Sequence, residues 1–487
     1  MSNKINILIK KAIHYINKNQ ITIAEKIFKD LNADHPNNLI IYTYLIPILI
    51  NQNKINESEL YALKFYKDSN QSEVSTIYMG LINFKLNKLQ ESLNFFEQVL
   101  NMNSNNYDAI VNKGVILFKL NNNFKSMKYL ERAIKLNPKN PIGHVSYAAV
   151  LEDESKMEEA VYHLKKAIDL NPSDFESIHA LSLIQLYSKD YSNGWKNYDL
   201  RWFKKDLVYR YNNIPKLKNL LNVRGKKILI WYEQGFGDTL NFSRYVKLLA
   251  NMGALITFEV QKPLFTLYKN NFEIKVTDKV NTDEYDYQAP LISLIQFFGI
   301  EDSTIKLDQY IKSEQSKILF WKNKLQPSTK KTNIGIAISG NEHHLKEKRR
   351  QINLNFFLSL LSFCKIYLIQ KNISDNQHQL VKQNNDIVYL GDDKDWQDFN
   401  DTSAIIDNMD LIISIDTSLI HLSGLMNKKS LLLLAKPNDW RWAEDNKKCP
   451  KWYESVHIIR QKNKNNWQEI FSDVEKFIKN FKKNNDE

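Results

Sequence analysis

The feature that most restricts how this chain can fold is an internal repeat. Aligned on the segments ending NMNS, KLNP and DLNP, Ser104, Pro138 and Pro172 recur every 34 residues, and Pro36 falls in the same register. In that phase one position reads Ala24, Ser58, Ser92, Ser126 and Ala160, and another reads Gly80, Gly114, Ala148 and Ser182. Every one is small. Two helices approach closely only where side chains are short, so two small positions per repeat predict an antiparallel helix pair. A unit of this size cannot bury its apolar face alone. Neighbours must stack, which predicts a curved α-solenoid over residues 5–208.

The period and the small-residue pattern resemble the tetratricopeptide repeat (TPR). The best-formed units are 73–106, 107–140 and 141–174; two looser units cover about 5–72, and a variant half-unit runs on to about 207. The resemblance implies a concave face that binds peptides or partner proteins, and no residue in the array suggests chemistry. In GWKNYDLRW, from Gly194 to Trp202, aromatics replace the small residues. That change predicts a cap that docks the solenoid onto the C-terminal half. Residues 209–225, with Pro215 and Gly225, read as a linker.

At 487 residues the chain needs more than one domain, and 43% hydrophobic with 25% charged residues is an ordinary globular composition. The net charge of +12 comes from 67 Lys+Arg against 55 Asp+Glu. Lys is spread throughout, so the excess reads as solvated surface, and no basic–aromatic interleave points to nucleic acid. Two cysteines, Cys364 and Cys449, rule out a disulfide framework. The best apolar run, 39–50, is short and contains Pro47, so no membrane span is expected. The first twenty residues lack a signal-peptide pattern, and a cytoplasmic location is the expectation. Two scarcities carry more. The chain has 13 Gly, and only nine of its basic residues are Arg, eight of them beyond residue 200. Where a Lys-rich chain uses Arg, a planar fork is required; where a Gly-poor chain sets two Gly within three residues, a special backbone conformation is expected.

From Lys226 the pattern alternates. KILIWY, the break at Gly235-Phe236-Gly237-Asp238, a helix over 239–251 and a strand over 255–260 make one β–loop–α–β unit. It restarts at Asn333 with IGIAIS, a loop 340–350, helix 354–362 and strand 365–370. Strand 387–390, helix 401–408, strand 411–415, helix 418–426, strand 430–435 and a closing helix 467–481 complete it. The fold class expected is α plus α/β, with a first Rossmann-like lobe at 226–327 and a second at 328–487.

Four loops at strand ends carry candidate chemistry. In Glu233-Gln234-Gly235-Phe236-Gly237-Asp238, the turn presents backbone N–H groups, and Asp238 either accepts a proton from a hydroxyl or caps the helix. Glu233 is the alternative base. Asp416-Thr417-Ser418 at a helix start suits a diphosphate, with His421 one turn on; helix capping and a packed histidine are the competing reading. The loop from Gly340 and Asn341 through His343, His344, Lys346 and Lys348 to Arg349 and Arg350 either clamps phosphates or is solvated surface. Asp439-Trp440-Arg441-Trp442 either walls a sugar or nucleotide pocket or packs the lobes together. No spacing of His, Cys or carboxylates suggests a metal site.

LIWYEQGFGDTLN at 229–241, DTSLIHLSG at 416–424, and PNDWRW with the later Lys451-Trp452-Tyr453 and Ile459-Arg460-Gln461 together resemble bacterial TPR-containing glycosyltransferases related to the lipopolysaccharide heptosyltransferases, glycosyltransferase family 9. The resemblance implies a GT-B fold, inverting transfer without a metal or other cofactor, and a nucleotide-diphosphate sugar as donor. Asp238 would be the base, and Asp416, Thr417, Ser418 and His421 the donor segment, with Arg349 and Arg350 facing the phosphates. Ser418 stands where heptosyltransferases have Gly. The acceptor would be a protein or a glycan or lipid hydroxyl. An adaptor with an inactive second half is the competing expectation.

Overall fold

The computed structural model describes residues 2–204, 207–298, 310–340, 347–443 and 452–486, without the side chains of 2, 3, 283, 347, 348 and 483–486. Asn341, His343, His344, Lys346, Cys449, Lys451 and the side chain of Lys348 therefore lie outside the described residues. The chain divides into two compact units, Met1–Ile184 and Gln185–Glu487.

The first unit is helical throughout: α1 (Ser2–Asn17), α2 (Ile21–Asp34), α3 (Leu39–Asn51), α4 (Ile55–Asp68), α5 (Glu73–Lys85), α6 (Leu89–Met102), α7 (Tyr107–Lys119), α8 (Asn123–Leu136), α9 (Pro141–Asp153), α10 (Met157–Leu170) and most of α11 (Phe175–Tyr187). The small positions do what the spacing requires. Ala24, Ser58, Ser92, Ser126 and Ala160 are all completely buried. Ser92 and Ser126 donate to the carbonyls of Gly80 and Gly114 across their helix pairs, each at 2.7 Å. A Cβ on Gly80 would lie 2.8 Å from the Phe96 ring, and one on Gly114 2.7 Å from Leu130 Cγ. Hydroxyl and glycine are thus a matched pair, worth about 1 kcal/mol net per bond. The backbone repeats the period too. Asn19, Asn53, Asn87, Asn121, Ser155 and Lys189, each 34 residues after the last, all have φ between 58° and 65°. A left-handed residue ends the first helix of each pair, and Asn tolerates that conformation best among non-glycines.

The second unit begins with the last turn of α11, α12 (Tyr191–Tyr198) and a 3₁₀ turn, Asp199–Phe203. The unit boundary falls at 184/185 rather than at 208. Gly194 packs against Leu186, and Asn197 donates to Gln185 at 2.8 Å, so this aromatic stretch folds with the second unit.

Then come β1 (Lys227–Trp231), α13 (Phe236–Asn251), β2 (Leu255–Glu259), α14 (Phe265–Asn271), β3 (Lys275–Thr277), β4 (Tyr287–Pro290), α15 (Ile295–Phe298) and α16 (Gln315–Leu325). These strands form a parallel sheet of order β3-β2-β1-β4, with Ile228 opposite both Ile256 and Tyr287. A second set comprises β5 (Thr332–Ala337), α17 (Glu347–Arg350), β6 (Cys364–Leu368), α18 (Asp375–Gln383), β7 (Ile387–Tyr389), α19 (Phe399–Asp407), β8 (Leu411–Ser414), α20 (Ser418–Leu425), β9 (Ser430–Leu434), β10 (Val456–Arg460) and α21 (Gln468–Asp486). Its sheet runs β10-β9-β8-β5-β6-β7, all parallel. Numbered from β5, that is the 3-2-1-4-5-6 order of doubly wound sheets, which reverses between β5 and β8.

Residues Leu354–Ser362 wind as a 3₁₀ helix rather than the α-helix expected, and bury Leu354, Phe357 and Leu360 on this sheet. On α21, Ile470, Val474 and Ile478 recur every four residues and cover the sheet from the same side. β3, β4 and β10 escape the sequence reading. β3 and β4 are only three and four residues long, and β10 is a half-exposed edge strand. No described helix is long and apolar enough to cross a membrane.

Candidate functional site

A parallel sheet opens a crevice beyond the carboxyl ends of its strands, at the point where the strand order reverses. In the second sheet that point lies between β5 and β8. A cavity of about 900 Å³ sits there, lined from the first sheet's side by Gln234–Asp238, Gln261 and Pro263 and from the second by the loops after β5, β6, β7, β8 and β9. It gathers Gln234, Gly235, Gly237, Asp238, Gly340, Arg349, Arg350, Asp416, Thr417, Ser418, His421 and Arg441. Residues from four separate loops converge.

Asp238 both caps and faces the cavity. Its Oδ2 accepts from the Gly235 N–H at 3.1 Å, the reciprocal half of a capping box on α13, while its Oδ1 accepts from Arg441 Nη2. Arg441 Nη1 donates to Asp439 at 2.8 Å, so one buried guanidinium holds two carboxylates in the planar fork that Lys cannot form. Burial works against that charge, but Asp439 and Asp238 more than offset it and raise the Arg441 pKa further. Its plane also lies over the Trp440 ring, 4.6 Å away.

At α20 the polar groups near the helix start are committed elsewhere. Thr417 is the N-cap residue but makes no side-chain cap; its hydroxyl pairs with Ser414 Oγ at 2.9 Å. Asp416 turns to His421, with Oδ1 3.7 Å from Nε2. The first N–H groups of α20 are left without a side-chain acceptor, and the helix dipole concentrates positive potential there. Burial would raise the Asp416 pKa, but the neighbouring His421 imidazole outweighs it and brings it down to about 2. Arg350 Nη1 donates to the Asp416 carbonyl at 2.6 Å, tying α17 to the same loop. His421 is buried, stacks on Trp442 at 5.6 Å and shares a 2.9 Å hydrogen bond with Tyr453, whose hydroxyl accepts from Asn241 at 3.0 Å.

The paired glycines have a different cause from the one expected. Gly235 has an ordinary φ of −71°. Gly237 instead sits in close approach to α20: a Cβ there would lie 3.1 Å from His421 Cδ2, a tight contact. Similarly, a Cβ on Gly424 would lie 2.3 Å from the Tyr453 ring.

Two expected site residues lie elsewhere. Glu233 does not line the cavity. Its side chain is 2% exposed and pairs with Arg201 at 2.7 Å, while its other oxygen accepts from the Ile292 N–H at 2.9 Å. Burial raises its pKa against the pull of Arg201. It anchors the β1–α13 loop and is no candidate base. Trp440 is also turned away, packing edge-on to Trp195 at 5.3 Å and near Phe242 at 6.4 Å. The 3₁₀ turn Trp440–Trp442 sends Trp440 inward and Arg441 to the cavity. Asn341 and the Lys348 side chain lie outside the described residues.

The sequence reading missed Gln261, Gln370, Trp396 and Phe399 in the lining, while Phe236 and Asp439 lie there inside two of the loops it singled out. Those four carry no signal before folding. Arg201 did carry one, being an Arg in a Lys-rich chain, and it is fully buried with cation–π contacts to Tyr198 and Trp202 at 4.4 and 4.6 Å. Among the described residues no group of three His, Cys, Asp or Glu is placed to hold a metal ion.

Comparison with known proteins identifies the class of the repeats. A tetratricopeptide repeat model matches residues 107–140, which is the pair α7–α8, and the helical array is TPR-like. Among individual proteins, FlbA of Caulobacter vibrioides is 18% identical over 314 residues, covering 59% of this chain and 52% of FlbA. The chain thus spans about half the length of the curated relative it matches. Similar solved structures include the APC/C hetero-tetramer Cut9–Hcn1, at 11% identity over 42% of this chain and 41% of that one with a TM-score of 0.39. Another is a thermophilic TPR protein of Thermus thermophilus, at 12% identity over 37% of this chain and 99% of that one with a TM-score of 0.35.

Proposed function

We propose that the second unit is a GT-B-type glycosyltransferase, moving a sugar from a nucleotide-diphosphate donor to a hydroxyl acceptor, and that the TPR-like array recruits a protein partner. The observation that carries this reading is the uncapped start of α20 at the strand-order reversal, with Arg349 and Arg350 in the same cavity and Asp238 across it. Helix N–H groups and guanidinium forks suit a diphosphate. Each Asp238 oxygen keeps a lone pair beyond the bonds to Gly235 and Arg441.

In the reaction proposed, Asp238 takes the acceptor's hydroxyl proton as the oxygen attacks the anomeric carbon. The carbon–oxygen bond to the diphosphate breaks, the leaving group keeps the electron pair, and its charge develops against the α20 N–H groups and the arginines. Inversion is the outcome of the single displacement, and the residues named assign no step to a metal. One observation favours the competing reading, a partner-binding adaptor that holds a nucleotide sugar without turnover: Asp238 is already engaged by Arg441.

Thermal-shift screening against nucleotide diphosphates and their sugars, followed by transfer and hydrolysis assays, separates the two. A ligand at 100 times its Kd stabilises by about 2.7 kcal/mol, so selective binding is visible. Asp238→Asn is expected to lower turnover at least ~100-fold and leave donor binding intact. Full turnover in that variant sinks the assignment, and binding without any turnover in the wild type leaves the adaptor.

A further inference from the structure

The first-sheet face of the cavity carries a set of groups that donor chemistry does not use. Gln234 Nε2 donates to the Tyr198 hydroxyl at 2.6 Å, which fixes its carboxamide. Gln261 is held from both ends: its Nε2 donates to the Gln234 carbonyl at 2.9 Å, and its Oε1 accepts from the Thr239 hydroxyl at 2.9 Å. Each carboxamide keeps a second N–H and at least one lone pair beyond those bonds. Phe236, first residue of α13, lies in the same lining, packs against the Phe399 ring at 5.1 Å and still keeps 37% of its surface exposed, where neighbouring apolar residues of α13 are buried. Asp238 completes the group.

We propose that Phe236, Gln234 and Gln261 form a subsite for an uncharged pyranoside, whose hydroxyl Asp238 would activate; this rests on the transferase reading above. The chemistry is that of a sugar ring. A pyranose presents an apolar C–H face, which an exposed aromatic covers, and a rim of hydroxyls that both donate and accept, as a carboxamide does. Amides held in place lose little side-chain entropy on binding. A single serine or threonine hydroxyl would use neither the ring nor the second amide.

The test is ligand-observed saturation-transfer NMR on the full chain, with methyl hexopyranosides as probes and a Ser/Thr-rich peptide as comparison. Binding of a hexopyranoside is expected, with transfer to its ring C–H protons. Phe236→Ala and Gln261→Ala should each weaken it about tenfold, equivalent to about 1.4 kcal/mol. Phe236→Trp should restore it, and nucleotide-diphosphate thermal shifts should be unchanged in all three variants. No hexopyranoside signal, a signal insensitive to Phe236, or a Phe236-dependent signal from the peptide alone overturns the proposal. Sugar binding in a protein that fails to bind any nucleotide diphosphate leaves the subsite standing while the transferase reading falls.

Discussion

Replacing Glu233 with Gln tests whether this carboxylate anchors the loop or does chemistry. Arg201 is completely buried, and Glu233 supplies its closest ion pair, with Nε and Nη2 at 2.8 and 2.7 Å. The remaining partners are Ser293 Oγ at 3.0 Å, the Tyr198 carbonyl at 3.1 Å and Asp199 at 3.3 Å. Removing one partner of a buried pair typically costs about 3–5 kcal/mol, because the other charge is stranded. Gln keeps the acceptor for the Ile292 N–H, and Asp199 still offsets part of the charge. Its side chain is 47% exposed, which weakens that help. The expected loss is therefore at the lower end, about 3 kcal/mol. With a urea slope of about 3 kcal/mol/M for a unit of this size, the midpoint of the second unit falls by about 1 M. Urea titration followed by tryptophan fluorescence reads this unit, since all nine Trp lie beyond residue 184. Arg201→Met combined with Glu233→Gln should recover most of the loss, because the stranded charge is gone. A Glu233→Gln protein as stable as the wild type refutes the reasoning. If it also loses turnover, Glu233 is the base after all.

Asp416 gives a pH signature. Its folded-state pKa is about 2, below the ordinary 3.8, so pairing with His421 contributes stability that is present above about pH 4 and lost as pH falls through 2. Asp416→Asn should cost roughly 2 kcal/mol at pH 7, shrinking toward zero near pH 2 in parallel urea titrations; a gap that does not change with pH counts against the pairing. In the array, Gly114→Val places a Cβ 2.7 Å from Leu130 Cγ and should cost about 1–3 kcal/mol in helical melting by circular dichroism. Ser126→Ala should cost about 1 kcal/mol through loss of the bond to the Gly114 carbonyl, and a neutral result would deny that bond its role.

The helical half was legible because its constraint is local and repeated. A buried contact that admits only a small side chain leaves a mark in every unit, and in two of them a serine hydroxyl there reaches the glycine carbonyl twelve residues earlier. So does the turn residue with positive φ, although that second signal, four Asn at one spacing, went unread. The parallel strands were legible where buried on both faces, as in the fully buried β5, β8 and β9. Around the cavity, the Gly-Phe-Gly-Asp and Asp-Thr-Ser turns showed themselves as strand-to-helix breaks. Several neighbours did not, since Gln261, Gln370 and Trp396 come from separate loops.

Local pattern alone was enough for a 34-residue helical repeat, an alternating α/β half, and the strand ends where a ligand could meet free N–H groups. Packing in three dimensions settled which competing use each polar group takes. Asp238 caps its helix and also meets Arg441 from a loop some two hundred residues away. Thr417 and Asp416 turn from the helix they precede toward Ser414 and His421. Glu233 is withdrawn by Arg201. Spacing along the chain fixes which backbone groups lack partners, because that depends on local conformation. Which side chain answers them is a contest among residues brought together by packing, and the winner is set by distance and burial.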